Sequence, residues 1–231
     1  MGEPSFVDVG TRETLCFVAA HLPSRSARFL EIGCGSGRLA GELARRGVRV
    51  RGLEPDPQAA EQARARGVDV VCASLLDHED APFDLALFSR SLHHIHPLGP
   101  AIARSFRLLK PGGLLLVEDF AVERIDRATA AWRYEMEEAP DANADPLVRW
   151  RLEHREDPPI SDSAAMRAAI ANVFVVEAEA SVPYLYRYLL PADEGDARSA
   201  VVGEQLFDTE KRLIAAGVLR AIGLRLVARR A

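Results

Sequence analysis

Nine residues constrain this chain more than any others: Phe29-Leu30-Glu31-Ile32-Gly33-Cys34-Gly35-Ser36-Gly37. An apolar extended run (28–32) carrying one acid meets three alternating glycines. The chain then enters residues 38–46, where Leu39 and Leu43 recur at helical spacing. Strand, tight loop and helix in that order open an α/β unit. Glycines in such a loop let the chain turn sharply and let a ligand approach the backbone. Three of them in nine residues are hard to justify by packing alone, so the loop is expected to bind something.

The same alternation continues. Residues 48–53 read as a second strand, Pro55-Asp56-Pro57 as a helix start, 59–66 as a helix with Gly67 at its end, and 68–73 as a third strand. A fourth strand (83–89) precedes a helix over 97–109, where Ile102, Phe106 and Leu109 form one apolar stripe. Lys110-Pro111-Gly112-Gly113 ends that helix before a nearly all-apolar fifth strand at 114–118. This order predicts a parallel, doubly wound sheet. Residues 11–22 read as an amphipathic helix, 173–181 as an edge strand with Glu177 and Glu179 outward, 198–215 as a helix and 222–228 as a last strand.

Composition narrows the class of partner. A chain of 231 residues with 48% hydrophobic and 27% charged residues is an ordinary globular protein, expected as one domain over 1–231 with a helical segment at 1–28. Its 29 basic residues, all arginine except Lys110 and Lys211, face 34 acidic ones, and no stretch gathers the basic patch that a nucleic acid requires. Cys16, Cys34 and Cys72 have no CxxC pairing, which predicts reduced, buried thiols and no zinc site. There is no export-signal pattern, and no apolar run approaches about 18 residues, so neither export nor membrane spanning is expected and the cytoplasm is the expected location.

The loop also says which ligand it wants. In the dinucleotide fingerprint G-x-G-x-x-G the third glycine falls three residues after the second; Arg38 stands there, which disfavours a nicotinamide cofactor. A carboxylate at Glu31 would repel a pyrophosphate but help hold a cation. Glu54 closes the second strand, where a carboxylate can accept hydrogen bonds from both hydroxyls of a ribose. An adenosine-like ligand with positive charge fits both acids.

With FLEIGCGSG (29–37), GLEPD (52–56), FDLALFSRSLHH (83–94) and LLKPGGLLLVED (108–119), the sequence resembles the class I S-adenosylmethionine-dependent methyltransferases, especially their small-molecule branch. The resemblance covers about ninety residues in the family's order. It implies a Rossmann-like seven-stranded sheet ending in an antiparallel strand pair, and S-adenosylmethionine as cofactor with S-adenosylhomocysteine as product. By position it places Gly33, Cys34, Gly35 and Gly37 against the methionyl part and ribose, with Glu31 nearby. Glu54 and Pro55 fall at the ribose, and Ser89 beside the donor methyl. Where many relatives carry an aspartate for the adenine, this chain has Ser74 followed by Leu75, with Asp77 as a nearby substitute.

Methyl transfer from a sulfonium needs alignment and water exclusion more than a nucleophile. An acceptor hydroxyl or ammonium must still lose a proton, and His93, His94 and His96 lie at the loop after the fourth strand; His93 and His94 are the candidate bases, with helix capping or packing as their alternative role. Adjacent side chains diverge, so no metal is expected there. Residues 124–163, inserted after the fifth strand, are expected as a helical cap over the ligand-binding ends of the strands. Trp132, Trp150, His154 and Tyr184 are its candidate substrate contacts, packing being the alternative for the aromatics. Tyr184, Tyr186 and Tyr188 alternate, so at strand spacing they would share a face.

The expected function is therefore methyl transfer to an oxygen or nitrogen of a small-molecule acceptor, by a monomer or homodimer. Two other classes compete: a non-catalytic nucleoside-binding protein of the same fold, favoured by Ser74, and a nicotinamide-dependent oxidoreductase, opposed by Arg38.

Overall fold

The computed structural model describes residues 7–136, 145–190 and 197–231, so residues 137–144 of the expected cap lie outside the described part. In chain order the elements are α1 Val9–Ala19, β1 Arg28–Ile32, α2 Arg38–Arg45, β2 Arg49–Glu54, α3 Pro57–Ala65, β3 Asp69–Cys72, β4 Phe83–Ser89, α4 Leu98–Leu108 and β5 Leu109–Phe120. There follow α5 Arg127–Glu135, α6 Pro146–Glu153, α7 Ser163–Ala171, β6 Val175–Val182, α8 Ala197–Ala215 and β7 Gly223–Arg229. Among the described residues, two compact units interleave along the chain: 14–119, 161–180 and 224–231 form one, and 7–13, 120–136, 145–160, 181–190 and 197–223 the other.

The first unit carries the sheet, in the order β3-β2-β1-β4-β5-β7-β6. Strands β3, β2, β1, β4 and β5 pair in parallel, with Ile32 level with both Leu53 and Phe88. Strand order reverses at β1, which has β2 on one side and β4 on the other; in open parallel sheets this is where ligands bind, at the carboxyl ends of the strands. The amides of Gly112 and Arg230 bond to the carbonyls of Arg230 and Gly113, and that of Ala121 to Ile222, so β7 runs antiparallel to β5. Phe29, Leu30, Leu85, Ala86, Leu87 and Leu116 are fully buried, as expected for strands covered on both faces. Asp56 caps α3 by accepting the amide of Ala59 at 2.7 Å, with Pro57 in the first helical position.

Three expectations are corrected here. Lys110-Pro111-Gly112-Gly113 belongs to β5 as an irregularity, because β7 bonds Gly112 and Gly113 into the ladder. Cys34 is buried, but Cys16 and Cys72 are exposed; Cys72 ends β3, the edge strand of the sheet. Residues 184–188 are not a strand. Leu185–Leu189 is a 3-10 turn, because the carboxylate of Glu210 accepts the amides of Tyr184, Leu185 and Tyr186 at 2.8, 3.0 and 2.8 Å and leaves none for a ladder. Tyr184 and Tyr188 then meet each other, with ring centres 5.9 Å apart, while Tyr186 packs on Phe207.

The second unit is built around Phe120, Ala130, Tyr134, Trp150, Tyr184, Leu185 and Ile222. Asp126 caps α5 at Thr129 and pairs with Arg220 at 2.8 Å, while Asp145 caps α6 at Leu147.

Candidate active site at the switch point of the sheet

A cavity of about 410 Å³ opens where β1, β2 and β4 end; Gly33, Glu54, Ser74, Leu75, Ser91 and His94 are among its walls. The glycine loop forms one side. Gly33 has a φ of +71°, and a Cβ there would stand 2.6 Å from Cβ of Ser91, whose hydroxyl donates to the carbonyl of Ile32 at 2.6 Å. Only glycine permits that close approach. Gly35 (φ +53°) faces open space, whereas Gly37 (φ +74°) is a packing glycine: a Cβ would sit 2.7 Å from that of Ala63 in α3. Cys34 is buried against Gly52 rather than lining the cavity, and burial pushes its thiol up to about 12, with Glu31 and Glu54 adding to the effect.

The two acids differ. Glu54 lines the cavity, its Oε2 accepting the amide of Gly35 at 2.8 Å and its Oε1 that of Asp56 at 3.0 Å. Each carboxylate oxygen can accept more than one bond, so the two amides fix the group and leave it capacity for a ligand. Glu31 is only 3% exposed, and its Oε2 is buried with no hydrogen-bond partner. Burial pushes its carboxyl up to about 8, against the pull of Arg90 and the amide of Ala40 and with help from Glu54. A buried, unsatisfied acceptor of this kind is costly unless a donor comes to it.

Pro55, Ser74 and Leu75 also line the cavity; exposed Asp77 does not. Ser89 ends β4 short of the wall, which is made instead by Arg90, in a left-handed conformation at φ +56°, and by Ser91. Neither of these two was assigned a role from sequence, and no local pattern marks them.

The histidine pair splits. His94 is exposed and lines the cavity together with His96, whose Nε2 is buried with no hydrogen-bond partner. His93 is buried, with Nδ1 2.6 Å from Oδ1 of Asp119 and its own amide 3.3 Å from Oδ2. A carboxylate only accepts, so Nδ1 of His93 carries the proton. The rings of His93 and His94 lie 3.9 Å apart, centre to centre. Beside them Glu118 is held by Arg225 at 2.7 Å and by the hydroxyl of Thr14. Asp119 closes the motif LLKPGGLLLVED, yet nothing local in that motif reveals its partner.

Within the second unit, three of the four residues expected to contact substrate come together. Phe120 stacks on Tyr184 at 4.9 Å and meets Trp150 and His154 edge-on, while the rings of Trp150 and His154 lie 3.8 Å apart. Trp132 is partly buried and packs on the outside of this cluster. Among the described residues no group of His, Cys, Asp and Glu is arranged to hold a metal ion, and no helix is long and apolar enough to cross a membrane.

Comparison with known proteins agrees with this architecture. A family model described as a methyltransferase domain matches residues 11–144. A ubiquinone biosynthesis O-methyltransferase of Xylella fastidiosa (strain 9a5c) is 31% identical over 127 residues, covering 51% of this chain and 50% of that protein. The chain thus spans about half the length of the curated relatives it matches. Among solved structures, an S-adenosylmethionine dependent methyltransferase from Mesorhizobium loti aligns with 93% of this chain and 96% of its own, at a TM-score of 0.61 and 19% identity. The N-methyltransferase NodS from Bradyrhizobium japonicum WM9, in complex with S-adenosyl-L-homocysteine, aligns with 96% of this chain and 88% of its own, at 0.57 and 15%. At those identities the likeness is one of fold. Through the match over residues 11–144 the chain belongs to the methyltransferase domain family, and its seven-stranded sheet is that of the class I S-adenosylmethionine-dependent methyltransferases.

Proposed function

We propose that this protein transfers a methyl group from S-adenosylmethionine to an oxygen or nitrogen of a small-molecule acceptor. The observation that carries the reading is the pair of acids at the switch point. Glu54 is a carboxylate fixed by two amides on a cavity wall, suited to ribose hydroxyls. Glu31, behind the glycine loop, holds a buried oxygen with no hydrogen-bond partner, which a cationic ligand would draw toward its ionised form. The residues present therefore fit the cofactor, which when bound supplies an electrophilic methyl on a sulfonium.

The remaining walls take the other parts of the ligand. Leu75 offers an apolar face to the adenine and Ser74 a hydroxyl, while Gly33 lets the ligand lie against the backbone. Ser91 and Arg90 take the place beside the donor methyl that position alone gave to Ser89. His94 faces the cavity and is the group to accept the acceptor's proton; His93, clamped by Asp119, supports it from below. The cavity and the relative named for ubiquinone biosynthesis both favour a small acceptor. The excess of 34 acidic over 29 basic residues opposes a nucleic acid. A cytoplasmic monomer or homodimer without a membrane partner completes the reading.

Calorimetric titration with S-adenosylmethionine, S-adenosylhomocysteine, NAD and NADP tests it without any acceptor. Micromolar binding of the two sulfur nucleosides and silence from the nicotinamides is the expected result. Glu54→Ala is expected to weaken S-adenosylhomocysteine by about 2–3 kcal/mol, through loss of charge-assisted hydrogen bonds. Silence from all four ligands, or a response to the nicotinamides, overturns the reading.

A further inference from the structure

The second unit holds a cavity of its own, about 220 Å³, lined by Val122, Ile125, Leu147, Trp150, Arg151 and His154, with Glu123 on its rim. An apolar cavity of about 150 Å³ already accommodates a benzene ring, so one substituted ring fits this one.

Its aromatic wall is rigid. Trp150 is 1% exposed and donates its indole N–H to the carbonyl of Val122 at 3.1 Å. His154 lies beside it, tilted by 30°, with Nδ1 2.8 Å from the carbonyl of Trp150 and Nε2 2.9 Å from the hydroxyl of Tyr188. A carbonyl only accepts, so Nδ1 carries the proton, and both ring nitrogens are engaged. His154 therefore serves as a flat face and not as a base. Val122, Ile125 and Leu147 supply apolar walls, and stacking on the imidazole, with the buried indole behind it, favours a planar ring over a saturated one.

Charge at the mouth selects the substituent. Arg127 is committed to Asp145, and Arg133 and Arg149 to Glu153. Arg151 is exposed at the pocket, and its guanidinium makes no ion pair or hydrogen bond among the described residues. Glu123, the opposing charge on the rim, has Arg124 at 3.6 Å. A guanidinium with open donors matches a carboxylate in bidentate geometry.

We infer that this pocket binds a planar aromatic carboxylate, its ring against His154, which Trp150 backs, and its acid at Arg151. As a class of acceptor, this rests on the methyl-transfer reading; as a binding site it does not.

The test uses the full chain carrying Trp132→Phe, so that Trp150 alone reports by its fluorescence, and contains no methyl donor. Benzoate is titrated beside benzamide, which lacks the charge, and cyclohexanecarboxylate, which lacks the ring. Saturable quenching by benzoate is expected, with roughly three- to tenfold weaker affinity for benzamide and for the variant Arg151→Gln. Cyclohexanecarboxylate is expected to bind more weakly than benzoate, and Leu147→Phe to abolish binding by filling the space. If Leu147→Phe fails to fold, the exposed Arg151→Gln decides. Absence of saturable quenching up to about 10 mM benzoate, equal binding of all three probes, or no effect of Arg151→Gln overturns the inference. Failure here leaves binding of S-adenosylhomocysteine untouched, and failure of that binding leaves this pocket standing.

Discussion

Asp119 holds His93 through both carboxylate oxygens, Oδ1 at 2.6 Å from the ring Nδ1 and Oδ2 at 3.3 Å from the main-chain amide, with neither residue more than 5% exposed. One acid thereby fixes the tautomer of the ring and the position of the chain that carries His94. Asp119→Ala is expected to cost about 1–3 kcal/mol by leaving buried donors unpaired, measurable as a lower midpoint in urea. His94→Ala, a change at an exposed residue, is expected to leave the urea midpoint and S-adenosylhomocysteine affinity unchanged while lowering turnover by roughly 10²-fold or more. Full turnover in His94→Ala at every pH would remove this histidine from the proton-transfer role.

Glu31 makes stability depend on pH in an unusual direction. Its carboxyl titrates near 4.5 in the unfolded chain and at about 8 in the folded one, so between those values the folded state holds a proton that the unfolded state has lost. Stability is therefore expected to fall as pH rises through that window, by up to ~1.4 kcal/mol per pH unit from this group. Glu31→Gln, which cannot ionise, is expected to flatten the slope and to be more stable than the parent at pH 8. Parallel stability profiles for the two proteins would show that Glu31 is already ionised at neutral pH.

The three loop glycines look alike in sequence, and the structure separates them. At Gly37 an added methyl group would meet both Cβ and Cα of Ala63, at 2.7 and 2.9 Å, on top of a φ of +74°. At Gly35 it would meet nothing within 4 Å, leaving only the strain of φ +53°. Gly35→Ala is expected to cost about 1 kcal/mol and Gly37→Ala at least 2 kcal/mol more in denaturant titration, because α2 and α3 must move apart. Equal costs would show that the helices yield freely at this contact.

What could be read from the chain follows from the range of the forces involved. The strands at 28–32 and 83–89 are legible because both faces are buried, so that apolar residues (Phe29, Leu30, Ile32, Phe83 and Leu85 to Phe88) predominate without helical spacing, and α3 because Asp56 and Pro57 start it locally. Glu54 is legible because its place, the end of the second strand beside a glycine loop, is itself a local pattern. Contacts across long separations were not. Asp119 lies 26 residues from His93, and the tyrosine alternation at 184–188 carried no sign of Glu210 in α8. Exposure at Cys16 and Cys72 was hidden for the same reason, since it depends on what packs outside α1 and at the sheet edge.

Glu210 is itself the sharpest case of a distant residue setting local structure. It is fully buried, and its two oxygens accept three consecutive amides, those of Tyr184, Leu185 and Tyr186. Those bonds turn the chain into a 3-10 geometry and direct Tyr184 and Tyr188 into the cluster that contains Trp150 and His154. Glu210→Ala strands three buried donors and is expected to destabilise the protein by at least about 3 kcal/mol. Glu210→Gln keeps one carbonyl oxygen, which can still serve the pair at Tyr184 and Leu185, but presents an N–H₂ group to the amide of Tyr186; a loss of roughly 1–3 kcal/mol is expected. Near-ultraviolet circular dichroism reads the consequence at the aromatic cluster directly. Loss of its signal in Glu210→Gln, at a pH and temperature where the far-ultraviolet spectrum is retained, is the expected result. An unchanged aromatic spectrum would mean that ring packing, and not the carboxylate, holds the turn.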